Sequence, residues 1–170
     1  MKIFGCLIIS LSLFISCGSE VIEAKQMESN STLNLKEYGL DANIQIQDAS
    51  VEVLDNEAKY EQKILPNKRI EIKAKENIML VITECQENGV EMKVEFAEGF
   101  GETIIEKGED YCIIEQEGDN GEPVYDVSLF IEKDNAFIEV KVCDPVSKAQ
   151  CPSIELAKSG LEIARTFKFS

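Results

Sequence analysis

Short stretches in which apolar and polar residues alternate recur from Leu33 to Val142 and constrain the fold of this chain more than any other feature. A period of two places every second side chain on the same face of a β-strand. Turn-forming Gly, Asp and Asn separate the stretches, as in an antiparallel meander. The predicted strand segments are 42–54 (one strand broken near Asp48, or two short strands), 70–73, 78–82, 104–105, 111–114, 124–131 and 136–142. The pattern predicts a curved antiparallel sheet of about six to eight strands.

Two of the segments differ from simple alternation. Ile78 to Ile82 is a continuous apolar run, which is typical of a central strand covered on both faces. In 86–98, the residues Val90, Met92, Val94 and Phe96 alternate strictly, and this favours a strand. Because Gly and Pro are absent from 90–98, a helix stays open as the alternative there.

Helical signals are concentrated at the carboxyl end. Pro152-Ser153 offers a helix start, and Leu156, Ala157, Leu161 and Ala164 follow at helical spacing. Gly160 weakens the predicted helix. Residues 166–169 then suit a short edge strand. We therefore predict a single α+β domain over 33–170, with a C-terminal helix packed on the sheet.

The amino end has a different character. Lys2 precedes an apolar run, 3–15, and Ser16 stands before Cys17. The run is too short for a permanent transmembrane helix. It resembles a bacterial lipoprotein signal, which implies removal of 1–16, acylation of Cys17 and a lipid-anchored flexible tether over 17–32. The alternatives are an ordinary cleaved secretory signal, in which Cys17 is incidental, and a simple membrane anchor.

Charge and composition exclude several functions. The whole chain has a formal net charge of −15, and removal of Lys2 with the signal makes the mature chain −16. Such a chain repels nucleic acid, whose binding needs clustered Lys and Arg. The acidity serves solubility or, alternatively, steers a basic partner to the surface. Histidine is absent, so neither a Ser-His-Asp triad nor a histidine zinc site can form.

Four cysteines would stay in the mature chain: Cys85, Cys112, Cys143 and Cys151. An even number outside the cytoplasm usually pairs. Cys143 with Cys151 is the favoured disulfide because a short polar loop with a Pro separates them, and Cys85 with Cys112 follows by elimination. The alternative for Cys85 is a free buried thiol. Neither pair has the Cys-x-x-Cys spacing that favours redox or zinc chemistry.

Two resemblances add to this interpretation. The stretch 33–40, with Tyr38-Gly39-Leu40, and Glu76-Asn77 leading into 78–82 resemble small uncharacterised bacterial lipoproteins. The ending, a strand over 136–142, a loop, a helix and a short strand, is similar to PsbP-like domains, in which a curved antiparallel sheet packs against helices. The second resemblance concerns the fold only and carries no site residue to this chain.

Candidate sites are few. Asp119, Asn120, Glu122 and Asp126 surround a predicted turn, and their spacing favours a hairpin over a calcium loop. No catalytic residue, metal site or cofactor is predicted. The alternating strands favour a core over a binding groove, unless aromatic residues such as Tyr111, Tyr125 and Phe130 face solvent on the sheet.

Three functions follow, in order of preference. The first is a non-enzymatic lipoprotein of the outer membrane, on its periplasmic face or at the cell surface, that binds another envelope protein. The second is an acidic inhibitor or immunity-type protein that neutralises a basic toxin or hydrolase, which a concentrated negative patch would favour. The third is a carboxylate-based hydrolase, which converging carboxylates in a concave pocket would favour.

Overall fold

The structure, a computed structural model, describes residues 21–22, 32–57, 59–74, 77–144 and 147–170. The described residues form two antiparallel sheets and two α-helices, so the predicted α+β class is confirmed. The signal segment 1–16, Cys17 and most of the predicted tether lie outside the described residues. Of the tether, Val21–Ile22 pair with a strand of the larger sheet.

The elements follow one another with short connections. In chain order, the strands are β1 (Val21–Ile22), β2 (Thr32–Asn34), β3 (Ala42–Gln45), β4 (Ser50–Asp55), β5 (Lys68–Lys73), β6 (Met79–Cys85), β7 (Thr103–Lys107), β8 (Tyr111–Glu117), β9 (Pro123–Lys133), β10 (Ala136–Cys143) and β11 (Lys168–Phe169). The helices are α1 (Val90–Phe100), α2 (Ile154–Ala164) and a short 3-10 helix, Lys36–Tyr38.

The larger sheet has eight strands in the order β1-β4-β5-β6-β10-β9-β8-β7. Two meanders meet in its middle, β4 to β6 on one side and β7 to β10 on the other. The segment that contains α1 carries the chain from β6 at the centre to β7 at the edge. The smaller sheet has the order β11-β3-β2. The predicted segment 42–54 is therefore two strands in different sheets, separated at Asp48, which has a left-handed φ of 43°.

The main core lies between the larger sheet and a layer made of the smaller sheet and α2. Ile72, Leu80 and Val140 on the larger sheet are fully buried against this layer, to which Ile44 and Leu161 belong. Met79 to Ile82 of the apolar run lie in the predicted central strand, β6, with β5 on one side and β10 on the other. Burial alternates along β10, so period two in that segment does correspond to a buried face and a more exposed face.

The predicted C-terminal helix is confirmed as α2. The Ser153 hydroxyl accepts a hydrogen bond from the Leu156 amide at 3.2 Å and caps its first turn. Gly160 lies against β10: a Cβ there would come within 2.1 Å of Val142 Cγ1. The glycine therefore lets helix and sheet approach each other closely. After the helix, β11 pairs with β3 as the predicted short edge strand.

The preference for a strand over 90–96 is wrong, because these residues begin α1. A helix buries Val90, Val94 and Ala97 together on one face, over the small apolar cluster beneath it. Two of the alternating residues, Met92 and Phe96, are exposed instead. Alternation across four residues was therefore coincidental, since 90, 94 and 97 also fit the helical period.

Candidate binding surface

All four described cysteines are free thiols, so neither predicted disulfide is formed in the structure. Cys112 belongs to the apolar cluster under α1, and Cys85 packs against the same cluster. The Cys151 thiol lies 3.5 Å from the carbonyl oxygen of Val142, the residue that precedes Cys143. The fold thus brings the members of each predicted pair into one neighbourhood, and their pairing stays a prediction.

The thiols are poor nucleophiles where they stand. Burial raises the pKa of Cys85 and Cys151 to about 12. Burial likewise raises the pKa of Cys112 and Cys143 to about 11. A reactive cysteine needs a lowered pKa and a positive environment. These four side chains therefore offer no thiolate at neutral pH.

The predicted turn over Asp119, Asn120 and Glu122 is the hairpin that joins β8 to β9. The Gly118 amide donates to the Glu122 carbonyl, and the Gly121 amide donates to the Gly118 carbonyl, both at 2.9 Å. Asp126 stands apart from the turn, on β9. Among the residues that the structure describes, no group of three or more acids or cysteines is arranged to hold a metal ion.

A charged cluster fixes α1 to the sheet. Lys93 Nζ on α1 lies 3.1 Å from Asp126 Oδ2 on β9 and 3.3 Å from Glu139 Oε1 on β10. Lys141 Nζ lies 3.3 Å from the other oxygen of Asp126. The Ser128 hydroxyl donates to Glu139 at 2.7 Å. Two lysines thus balance two carboxylates beneath the helix.

The directions in which the pKa values of Asp126 and Lys93 shift follow from the positions of these groups in the cluster. Burial by itself would raise the pKa of Asp126, but Lys93 and Lys141 outweigh it and lower that pKa. Burial by itself would lower the pKa of Lys93, but Asp126 and Glu139 outweigh it and raise that pKa. Asp126 and Lys93 therefore stay charged across the neutral range, and their ion pair anchors α1 to β9.

The outward side of α1 carries an apolar stripe, defined as Met92, Phe96 and Phe100. Their exposed fractions are 61%, 62% and 70%, the largest of any big apolar residues among those described. Spacing of four residues aligns them along the helix, and the rings of Phe96 and Phe100 lie 4.6 Å apart. Phe96 and Phe100 follow Lys93 at helical spacing and so lie on the side of α1 nearer β9. The stripe is a continuous apolar surface in contact with solvent.

The segment that carries this stripe is strongly acidic. We define the acidic unit as residues 90–122, which comprise α1, β7, β8 and their turns. It contains eleven carboxylates against two lysines, a formal −9 out of −15 for the whole chain. On α1 itself, Glu95 is exposed and follows Met92 by three residues, so it lies beside that end of the stripe. One of the two lysines is Lys93, which the charged cluster already neutralises.

An open depression of about 680 Å³ continues the surface beyond Phe100. Glu102, Glu115 and Glu117 line it, together with Pro123. Glu102 accepts a hydrogen bond from the side-chain amide of Gln116 at 2.9 Å. Gln116 accepts in turn from Gln150 at 3.0 Å, so an amide chain fixes Glu102 at the wall. The depression extends the negative potential of the acidic unit to the end of the stripe.

The aromatic residues chosen from the sequence are not the exposed ones. Tyr125 and Phe130 are only 8% and 4% exposed, and Tyr111 is half-buried. The sequence pattern does not single out Phe96 and Phe100, because Phe96 belongs to the alternating segment that favours a strand and Phe100 lies beyond it. A helical plot of 90–100 would have found them, since Met92, Phe96 and Phe100 fall on one side and the buried residues on the other.

Comparisons with protein-family models, curated proteins and solved structures give no match to this chain. Within the described residues, neither helix has the length and apolarity needed to cross a membrane.

Proposed function

We propose that this protein is a lipid-anchored, extracytoplasmic, non-enzymatic binding module that docks another protein of the cell envelope through α1. The observation that carries the proposal is the apolar stripe, since a helix that displays a methionine and two phenylalanines in line offers a contact surface. Large aromatic side chains are the residues that most often dominate protein interfaces.

The rigidity of the stripe supports this function. α1 is held by a buried apolar face, by the Lys93 cluster and by Gly89, where a Cβ would come within 2.7 Å of the Phe130 ring. A surface fixed in advance loses little conformational entropy when a partner binds. The charge-compensated cluster and the raised thiol pKa values favour binding over catalysis.

Site-specific photo-cross-linking in the native envelope tests the docking. We would place p-benzoylphenylalanine at Phe96 in the full-length chain and, as a matched control, at Lys158, an exposed position on α2. We expect a discrete protein adduct from position 96 and a much weaker one or none from 158. Equal adducts from both positions, or none from either, would contradict docking through α1.

The anchor is tested separately. We propose that Cys17 carries the acyl chains that hold the protein at the outer membrane, and mass spectrometry of the mature amino terminus reads this directly. In a Cys17→Ser variant, partition into the detergent phase should be lost. An unacylated, uncut terminus in the wild type would disprove the anchor without affecting the docking result.

A second candidate function is favoured by the charge distribution. An immunity-type protein neutralises a basic toxin or hydrolase by covering its active surface, and a concentrated acidic unit with a net −9 suits such a target. The two functions differ in consequence. If the cross-linked partner is a hydrolase that loses activity on binding, the inhibitor is the better description, and if its activity is unchanged, the accessory module is.

A further inference from the structure

We infer that the segment docking on α1 is cationic and amphipathic, with apolar side chains that cover the apolar stripe and lysines or arginines that meet the carboxylates around it. This inference rests on the proposed docking function and names the chemistry of its partner. The exposed stripe supplies the contact, and the charge around it decides which contact is favourable.

The carboxylates are placed so that an apolar segment alone would be a poor fit. Glu95 stands exposed on α1 beside Met92, and the depression beyond Phe100 is lined by Glu102 and Glu117. A partner covering Phe96 and Phe100 must bring its own edges close to these groups. Neutral residues at the edges of the partner would remove water from these carboxylates without replacing its hydrogen bonds. Lys or Arg at the same positions would form ion pairs with the carboxylates.

A second copy of this chain is a poor occupant. Two stripes packed against each other would bring two acidic units, each with a formal −9, into one interface. Like charges brought together in one interface repel each other and oppose association. An anionic bilayer surface is disfavoured for the same reason, because the edges of the stripe would face lipid phosphates. Charge complementarity therefore selects a basic partner.

The chemistry can be tested before the natural partner is known. The probe is an immobilised leucine–lysine peptide that forms an amphipathic helix, presented to the full-length protein in one constant detergent. Two peptides of equal length serve as comparisons: a leucine–glutamate helix, which keeps the apolar face, and oligolysine, which keeps the charge. We expect at least tenfold tighter binding to the leucine–lysine peptide than to either, with affinity falling as salt is added.

Matched variants separate the two contributions. Glu95→Lys with Glu117→Lys should weaken the leucine–lysine complex at least tenfold, and so should Phe96→Ser with Phe100→Ser. The control is Glu37→Lys with Glu57→Lys, which changes net charge equally at exposed positions outside the acidic unit. It should alter affinity less than threefold. If the control weakens binding as much as Glu95→Lys with Glu117→Lys, net charge alone explains the result and the inference fails.

Other outcomes overturn the inference in distinct ways. Equal binding of the leucine–glutamate peptide would reduce the surface to apolar adhesion. Concentration-dependent self-association that Phe96→Ser abolishes would identify a second copy as the occupant, and vesicle binding that the same change abolishes would identify lipid. If position 96 cross-links in the envelope to a segment without Lys or Arg, the docking function stands and only the cationic partner is wrong.

Discussion

Both α-helices are eleven residues long, but they differ in how much of their surface packs against the rest of the molecule. α2 belongs to the layer that covers the larger sheet and contributes Leu161 and two alanines to the main core. α1 buries a narrower face over a small cluster and leaves the apolar stripe in solvent. One helix therefore completes the fold, and the other displays a surface.

Charge separates the two helices as clearly as burial does. The acidic unit around α1 carries a formal −9, whereas residues 147–170, which contain α2, have four basic residues against two acids, a formal +2. Burying a large apolar side chain stabilises a fold by roughly 1.5 to 3 kcal/mol. The fold forgoes this contribution at Met92, Phe96 and Phe100, which are the residues of the proposed contact with a partner.

The largest expected difference between the helices is the effect of removing one apolar side chain. Leu161→Ala should lower the free energy of unfolding by about 3 kcal/mol, because it leaves a cavity where Leu161 is 2% exposed. Phe96→Ala should change it by less than about 0.5 kcal/mol, since Phe96 already contacts water. Denaturant unfolding of both variants measures this. Similar losses would mean that α1 is as much a part of the core as α2.

Glycine substitution gives the next largest contrast. Gly160→Ala should destabilise the protein by about 2 kcal/mol, because the added Cβ collides with the stiff side chain of Val142. Gly99→Ala on α1 has nothing within 4 Å of the added Cβ and should stabilise the helix by up to about 1 kcal/mol. Thermal unfolding of the pair is the measurement. A stabilised Gly160→Ala variant would disprove the close packing of α2 on β10.

The charged cluster makes the attachment of α1 depend on pH. The lowered pKa of Asp126 gives a stabilisation that is present above the ordinary carboxyl value of about 4 and lost as pH falls through the folded value. The raised pKa of Lys93 gives a stabilisation that is present below the ordinary lysine value of about 10.4 and lost as pH rises through the folded value. We expect a plateau of stability between these limits.

Lys93→Met tests this attachment. This change should lower the free energy of unfolding on the pH plateau by about 1.5 kcal/mol. It should also remove the part of the loss of stability at alkaline pH that comes from Lys93. Lys107→Met, which removes an exposed ion pair to Glu91 beside the same helix, should cost less than about 0.5 kcal/mol. Unfolding measured across pH compares the two. An unchanged alkaline limb in Lys93→Met would show that Lys93 does not hold α1.

The smallest of these effects concerns helix capping. Ser153→Ala removes the hydroxyl that accepts from Leu156 and should lower the free energy of unfolding by about 1 kcal/mol. Ser153→Asp should restore most of the loss, because a carboxylate caps the same amide. If neither change alters stability, α2 is positioned by its packing alone.

Much of the fold could be predicted because local signals and tertiary packing agree. Ile78 to Ile82 is apolar throughout and Met79 to Ile82 lie in the central strand, and Ser153 with the helical spacing of Leu156 to Ala164 marks α2. The helix α1 could not be chosen with the same certainty. Val90, Val94 and Ala97 fit a helical face, while Val90 to Phe96 also alternate, and only the cluster beneath α1 decides between them.

The candidate surface could be predicted only in part. An acidic excess is visible in composition, and its concentration in 90–122 can be counted along the chain. The stripe can be recognised only when the segment is plotted as a helix, because exposure of Phe96 and Phe100 depends on the secondary structure of the segment. In a strand, Val94 and Phe96 would lie on one face and Glu95 on the other. In a helix, Phe96 lies on the same side as Met92 and Phe100.

The sequence by itself determined the alternating strands, the C-terminal helix with its cap, the excess of acid and the absence of histidine chemistry, since each depends on residues close together in the chain. Only the tertiary structure decided how distant groups meet. It joined two meanders at β6 and β10, placed Lys93 between Asp126 and Glu139, and buried the Glu84 carboxylate where it accepts from the amides of Lys63, Ile64 and Leu65. Such contacts depend on which segments can be packed together at the lowest free energy, and spacing along the chain does not contain that information.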